Sequence, residues 1–175
     1  LVADVLTTGE NNICYDGETF FSDEHIVGTD TYSNTFIGVL NSENIIAGKT
    51  HMQGIKGANG KTLRVEPNLI VAGPSSLPKL IAAIDKEFKA GGESNITYKI
   101  MPYLILPEIT GDEWFMVDVS KPLKPFILQK AKDGIFESSN DDKFMKDHAL
   151  FGVKSFMNAG YGLWQLATRF SGKAI

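Results

Sequence analysis

The sequence contains a single cysteine, Cys14, among 175 residues. One thiol excludes a disulfide within the chain and any metal site built from several cysteines. It also mildly favours a reducing compartment, where unpaired thiols are common. Apolar runs are short, and none approaches the roughly 18 residues that a membrane-spanning helix requires. We therefore expect no membrane partner.

Basic residues are in the minority. The chain has 17 Lys and Arg against 21 Asp and Glu, which gives a net charge of -4 and a pI of about 5.4. Tight binding of nucleic acid requires clustered Lys and Arg. The charge argues against nucleic acid as a tightly held ligand. It is compatible with DNA as a neighbour that the protein does not bind tightly. The 43% hydrophobic content is typical of a globular domain.

Catalytic and metal-binding motifs are also missing. His25, His51 and His148 form none of the paired spacings that build a metal site. The stretch "SDEH", residues 22–25, groups a hydroxyl, two acids and an imidazole, but adjacent residues do not face one another on a strand or helix. No partner histidine for Cys14 can be identified. We therefore predict no catalytic residue, no metal and no cofactor, and no enzymatic activity.

Three further features have simple structural interpretations. "VAGPSSLPK" has the strand, glycine turn and helix start of an anion site, but it lacks the Lys-Ser/Thr ending of a phosphate loop. We interpret it as a capped helix after a strand. Asp112-Glu113 and Asp141-Asp142 are interpreted as solvated turn charges. Trp114 and Trp164 are expected to anchor a core or an interface rather than line a ligand pocket.

The patterning predicts an α+β domain with mostly antiparallel strands. Residues 1–35 are rich in turn signals, so we expect loop with short strands, pinned by Phe20 and Phe21. A helix is predicted from Ser42 as its cap. The clearest helix is "SSLPKLIAAIDKEFKAGG", capped by Ser75 or Ser76, with an apolar face that includes Leu80, Ile84 and Phe88.

The second half of the chain is rich in β-forming residues. "ITYKIMPYLIL" and "EWFMVDVS" are predicted to form a hairpin through "PEITGD", followed by two short strands, "PFILQKA" and "GIFESS". "NDDKFMKDH" is predicted to be a loop. The closing stretch alternates at Phe151, Val153 and Ser155, which favours a strand, and its glycines argue against one continuous helix.

Four blocks of the sequence, in this order, resemble the Mu-type phage major head subunit. They are "DGETFFSDEH" with "YSN", "LRVEPNLIVAGPSSL", "EWFMVDVSKPLKPFILQKA" and "FMKDHALFGVKSFMNAGYGLWQLA". The resemblance extends from about Asp16 to Ala167. None of these blocks is a chemical motif, so the signal lies in their number and order.

The resemblance implies a major capsid protein with the Hong Kong 97-type fold, of which this chain would be mainly the axial domain with terminal strands of the peripheral domain. It divides the chain into an extended segment (1–35), an axial-domain core (36–135) and C-terminal strands joining the peripheral part (136–175). In this reading the structural anchors are the following side chains: Phe20, Phe21, Leu80, Ile84, Trp114, Tyr161 and Trp164. The closing block is expected to have lost a partner strand that precedes Leu1, where we expect upstream residues to have been removed.

The implied function is a phage or prophage head subunit that assembles with copies of itself, as hexamers and pentamers, around double-stranded DNA. The resemblance also implies scaffold, head protease and portal proteins as partners. The implied locations are the virion capsid and, during assembly, the cytoplasm of the bacterial host. Two alternatives stay open at this point. One is a non-viral nanocompartment shell of the same fold. The other is a small-ligand-binding or enzymatic α+β domain, which a pocket with convergent polar groups would favour.

Overall fold

The structure is a computed structural model that describes residues 2–89, 91–139 and 150–173. The α-helices are α1 (Val2–Thr7), α2 (Ser42–Gly54) and α3 (Leu77–Leu80). The strands are β1 (His25–Val27), β2 (Asp30–Tyr32), β3 (Thr35–Phe36), β4 (Leu69–Ala72), β5 (Tyr103–Ile105), β6 (Trp114–Val117), β7 (Phe126–Ser139), β8 (Leu150–Tyr161) and β9 (Ala167–Phe170). The predicted combination of helices and strands is confirmed.

A five-stranded mixed sheet with the order β3-β9-β6-β4-β5 forms the centre of the described structure. Strand β6 is buried along its whole length, because both faces of the sheet are covered. Trp114 and Met116 point into a cluster with α2 and Leu80, whereas Phe115 and Val117 point into a second cluster with Phe20 and the closing segment. The continuous apolar run of β6 therefore reflects a strand between two cores.

Helix α2 begins one residue earlier than the sequence suggested. The cap is Asn41, whose Oδ1 accepts a hydrogen bond from the Asn44 backbone N–H at 2.7 Å. Ser42 as the cap is wrong, because its hydroxyl is used elsewhere. It accepts a hydrogen bond from the Thr97 hydroxyl at 2.8 Å and thereby connects the start of α2 to the turn before β5.

The long helix predicted from Ser75 to Lys89 is wrong in length and in its cap. A 3₁₀ turn at Pro74–Ser76 leads into α3, which continues as a π-helical turn at Ile81–Asp85. Neither serine forms a side-chain cap bond. The helix ends early because the Asn95 side-chain amide donates to the Ala83 and Lys86 carbonyls, both at 2.8 Å. Phe88 consequently lies outside the helix and is exposed.

The predicted hairpin between the two strands around "PEITGD" is also wrong. Strand β4 lies between β5 and β6, pairing in parallel with β5 and antiparallel with β6. The connection from β5 to β6 passes closely over Gly73, at the end of β4. A Cβ on Gly73 would lie 2.2 Å from the Ile109 carbonyl oxygen, so only glycine permits this crossing.

Strands β7 and β8 form a separate two-stranded antiparallel sheet, which we call the ribbon. The two short strands predicted for its first half are one strand, Phe126–Ser139, with irregular register near Lys132. The ribbon crosses the boundary predicted between residues 135 and 136. The "NDDKFMKDH" segment, with Asp141, Asp142 and His148, lies outside the described residues.

The closing segment does not lack a partner. Strand β9 lies inside the central sheet, parallel to β3 and antiparallel to β6. The closing block of the prediction, residues 151–167, is mainly β8, which pairs with β7. A further partner strand for this block stays a prediction. At the other terminus, β1 and β2 are the short strands expected there, but helix α1 was not predicted.

Candidate assembly surface

An aromatic cluster fixes the N-terminal segment to the base of the ribbon. The buried Phe20 ring stacks on Tyr161 with centroids 4.7 Å apart, and it also contacts Phe126 at 5.2 Å. The Tyr161 hydroxyl donates to the Val5 carbonyl at 2.9 Å, so helix α1 is attached to the same point. The ribbon is thus rooted firmly at the end where Phe126 pairs with Tyr161.

A second contact joins the N-terminal segment to the closing segment. The fully buried His25 ring stacks face to face on Trp164, with centroids 4.0 Å apart, and its Nδ1 lies 2.7 Å from the Asp16 carboxylate. The buried Asn34 amide donates to the Phe20 carbonyl at 2.7 Å and to the Trp164 carbonyl at 3.4 Å. These contacts tie the N-terminal segment to the core cluster that contains Trp164.

The geometry does not assemble a nucleophile around the histidine. The partner of His25 is Asp16, which the sequence reasoning missed, and not the adjacent acids of "SDEH". The Ser22 hydroxyl instead accepts from the Glu24 backbone N–H. Burial raises the pKa of the Cys14 thiol, which keeps it protonated and unreactive near neutral pH. His51 contacts the Ser33 carbonyl oxygen through Nε2.

Within residues 2–89, 91–139 and 150–173, no group of three or more His, Cys, Asp and Glu side chains could hold a metal ion. Nor does that part of the chain contain a helix long and apolar enough to cross a membrane. Asp112, one of the predicted turn charges, pairs with Lys79 at 3.1 Å, which lowers the pKa of its carboxyl group.

A largely apolar depression of about 620 Å³ lies beside the base of the ribbon. We call it the groove. Its wall includes Lys121, Pro122 and Leu123, which shortly precede β7, and Leu163, which follows β8. The wall also includes Ile26, Leu63 and Tyr15, whose hydroxyl accepts a hydrogen bond from Gln165 Nε2 at 2.8 Å. Ile26 is 69% exposed, so apolar surface is available to a partner.

On the outer half of the ribbon, one face carries Phe136 and Val153, and the other carries the exposed Ile135 together with Lys154. Phe136 pairs with Val153, and the Phe136 and Phe151 rings stack with centroids 5.8 Å apart. On the opposite face Lys154 forms a 2.6 Å ion pair with Glu137. This separation follows from the alternation of side chains along a strand.

Comparison with known proteins identifies the family. The family model for the Mu-like prophage major head subunit gpT matches residues 37–109 and 105–173, which together make up most of the chain. The chain belongs to this family.

One relative in this family is the major head subunit of the Mu-like prophage FluMu from Haemophilus influenzae. It is 28% identical over 181 aligned residues, which cover 99% of this chain and 38% of the relative. The chain therefore spans about two fifths of the length of that major head subunit.

One solved capsid structure supports the same fold. The bacteriophage JBD30 capsid matches 62% of this chain and 61% of its own, with a TM-score of 0.57 and 16% identity. The procapsid of the same phage aligns with the whole chain and 40% of its own length, at 22% identity and a TM-score of 0.46. The first of these matches shows that the mixed helix-and-sheet fold is that of a phage capsid protein, which confirms the fold class that the resemblance implied.

Within this head-subunit fold the predicted structural anchors have the following positions. Leu80, Ile84 and Trp114 are buried in the cluster next to α2. Phe20, Phe21 and Trp164 are buried in the second cluster, and Tyr161 is half-buried against it: all seven lie in or against the cores. The exposed apolar face of the ribbon was missed, although the alternation of Phe151 and Val153 was the signal that could have revealed it.

Proposed function

We propose that this protein is a structural, non-enzymatic subunit of the icosahedral head of a Mu-like phage or prophage. The observation that carries the proposal is the match to the major head subunit family over residues 37–173, together with the capsid fold. The relative whose name states this function is a head subunit more than twice as long as the aligned region. The role of a whole shell protein is therefore a proposal for this chain.

In the proposed shell the partners are further copies of the protein, arranged as hexamers and pentamers around packaged double-stranded DNA. The net charge of -4 is consistent with a shell wall that does not bind the packaged DNA tightly, because strong phosphate binding requires many neutralising Lys and Arg. Scaffold, head protease and portal proteins are proposed as assembly partners, with assembly in the bacterial cytoplasm and the virion as the final location.

We also propose how the subunit is divided. The central sheet with α2 and α3 corresponds to the axial domain, and β9 belongs to it because β9 pairs with β6. The ribbon is proposed as the part that extends from this body toward neighbouring subunits, because only its base contacts the core clusters. This division replaces a boundary at residue 135 with one at the base of the ribbon.

The experiment is negative-stain electron microscopy of the protein produced from its gene, combined with light scattering. Closed shells, or rings of five or six subunits, are the expected result. A matched control is Trp164→Ala, which should reduce assembly by destabilising the subunit itself. A protein that stays monomeric at all concentrations and turns over a small molecule would contradict the proposal.

A further inference from the structure

The sequence contains one Asn-Gly pair, Asn59-Gly60, in the connection between α2 and β4. Asparagine is among the thermolabile residues of proteins. A glycine in the next position has no Cβ, so the backbone nitrogen beside the asparagine is easily approached. Both residues are exposed, and a Cβ on Gly60 would meet nothing within 4 Å. Solvent therefore reaches the atoms of this pair.

The turn folds the Asn59 side chain back over the next peptide unit. Asn59 Oδ1 accepts a hydrogen bond from the Lys61 backbone N–H at 3.0 Å, which forms an Asx turn. The ring closed by this bond contains both the Asn59 amide carbon Cγ and the Gly60 backbone nitrogen. The bond also withdraws electron density from Cγ, as an oxyanion-hole donor does. The side-chain carbonyl is thus polarised for attack by that nitrogen.

The charges on this hairpin favour the negative charge that develops during such an attack. Residues 44–65 contain four Lys and Arg but no Asp or Glu. An antiparallel bridge between Lys56 and Thr62 places Lys56 and Lys61 on the hairpin that carries Asn59. Neither lysine forms an ion pair within the part of the chain that the structure describes. Their positive charge therefore helps to stabilise an anionic intermediate.

One hydrogen bond of the turn opposes the reaction. The Gly60 backbone N–H donates to the Gly57 carbonyl at 2.8 Å, and this bond must open before hydroxide can remove the proton. Exposed turns open locally at a small fraction of the global free energy of unfolding. The bond therefore slows the attack without preventing it.

We propose that Asn59 is a site of spontaneous deamidation, which requires water and no enzyme. The deprotonated Gly60 nitrogen attacks Asn59 Cγ. The new N–Cγ bond forms, the Cγ–Nδ2 bond breaks, and Nδ2 takes a proton from water and leaves as ammonia. Water then opens the cyclic imide at either of its carbonyls. One opening gives aspartate, and the other gives isoaspartate, in which the main chain runs through Cβ and Cγ. Neither step oxidises or reduces the protein.

The products change the wall of the groove. Ala58, next to the reacting residue, lines the groove, and a Cβ on Gly57 would lie 3.1 Å from Leu63 Cδ2, so the hairpin is closely packed there. Aspartate adds a negative charge beside Lys56 and Lys61, and isoaspartate also lengthens the main chain by one methylene. The reaction needs no partner and no shell, so it takes place whether or not the chain assembles.

The test is peptide mapping by mass spectrometry of the folded chain, incubated in mildly alkaline buffer and sampled over weeks. We expect the tryptic peptide 57–61 to gain the mass of an exchange of NH₂ for OH, in aspartate and isoaspartate forms that chromatography separates. Asn158 is the internal control, because it is exposed but precedes Ala159, whose Cβ crowds the attacking nitrogen. Conversion at Asn158 should be several-fold slower.

The matched variant is Asn59→Gln, which keeps the amide but adds a methylene that disfavours cyclisation, so its peptide should stay unchanged over the same period. If peptide 57–61 of the wild type converts in urea but not in the folded chain, the turn protects Asn59 and the inference is wrong. Equal rates at Asn59 and Asn158 would also overturn it. Aspartate without isoaspartate would show direct hydrolysis of the side-chain amide, which contradicts attack by Gly60.

Discussion

The central sheet and the ribbon use the same types of residue in opposite ways. In β6, Trp114 and Phe115 are completely buried, one in each core. In the ribbon, Phe136 and Phe151 are about two-thirds exposed and contact each other. Apolar side chains in the sheet stabilise the subunit, whereas those in the outer ribbon have little to stabilise within it. Aromatic content therefore does not show which side chains stabilise the folded chain, but their position in the fold does.

The largest expected effect is on the core side of this comparison. Trp164→Ala removes a buried ring that stacks on His25, and we expect a loss of about 3–5 kcal/mol in the free energy of unfolding. Urea denaturation followed by circular dichroism measures it. Phe136→Ala is the matched control on the ribbon and should change the free energy much less. Equal losses of unfolding free energy in both variants would show that the core and the ribbon contribute equally to stability.

A buried carboxylate should give the next largest effect. Asp118 accepts hydrogen bonds from the Glu66 and Ser120 backbone N–H groups, both at 2.8 Å, and from the Ser120 hydroxyl. Burial raises the pKa of this group, but the hydrogen bonds outweigh burial and hold it below its ordinary 3.8. Asp118→Asn should lower the free energy of unfolding by about 1.5–3 kcal/mol at neutral pH. The substitution removes charge-assisted hydrogen bonds, and it places an amide NH₂ group against groups that are themselves hydrogen-bond donors.

The pH dependence of Asp118 follows from the direction of its pKa shift. Because the pKa is lower in the folded protein, the stabilisation is fully present above pH 3.8 and is lost as the pH falls through the lower folded value. The difference in stability between wild type and Asp118→Asn should therefore shrink below about pH 4. Denaturation at several pH values measures it, and a difference that stays constant down to pH 2 would contradict this origin.

Two glycines at the junction of ribbon and core offer a matched pair. A Cβ on Gly162 would lie 2.0 Å from the Lys124 carbonyl oxygen, whereas a Cβ on Gly160 would meet nothing within 4 Å. Gly162→Ala should destabilise the protein by roughly 1–3 kcal/mol, because the backbone must shift to admit the methyl group. Gly160→Ala should be nearly neutral. Thermal unfolding compares them, and an unaffected Gly162→Ala protein would show that the junction is loosely packed.

The smallest effect on folding is expected at the outer ribbon. Phe136→Ser with Val153→Ser should change the stability of the free subunit by no more than about 0.5 kcal/mol per substitution, because both side chains are largely exposed. Unfolding at concentrations too low for assembly is the appropriate measurement. A large loss of unfolding free energy in that monomer would show that the outer ribbon stabilises the fold as the core does, and it would contradict the contrast between the two regions.

Local patterns predicted local structure well in this chain. The alternation at Phe151 and Val153 correctly indicated a strand, and the region after Ser42 is a helix, because both depend on neighbours close in sequence. The helix around Leu80 was predicted too long because the signal that ends it, the Asn95 amide, comes from another segment. No periodicity within the helix contains that information.

Strand order and the candidate surface were harder to predict. The residues after Ile105 looked like a hairpin, but tertiary pairing placed β4 between the two strands. The pair of Asp16 and His25 forms across a turn and is stabilised by Trp164, which lies far away in sequence. The groove combines five separate segments, so no stretch of sequence could reveal it.

The position of β9 has a consequence for how the protein is made. Thr35 pairs with Arg169, and Trp114 pairs with Phe170, so the middle of the sheet is completed by nearly the last described residues. Such distant pairings form late, because a long loop must be closed first. A chain that stops short during translation lacks the strand that joins β3 to β6. A product that ends before Ala167 therefore lacks this strand of the central sheet and leaves β3 and β6 without their shared neighbour.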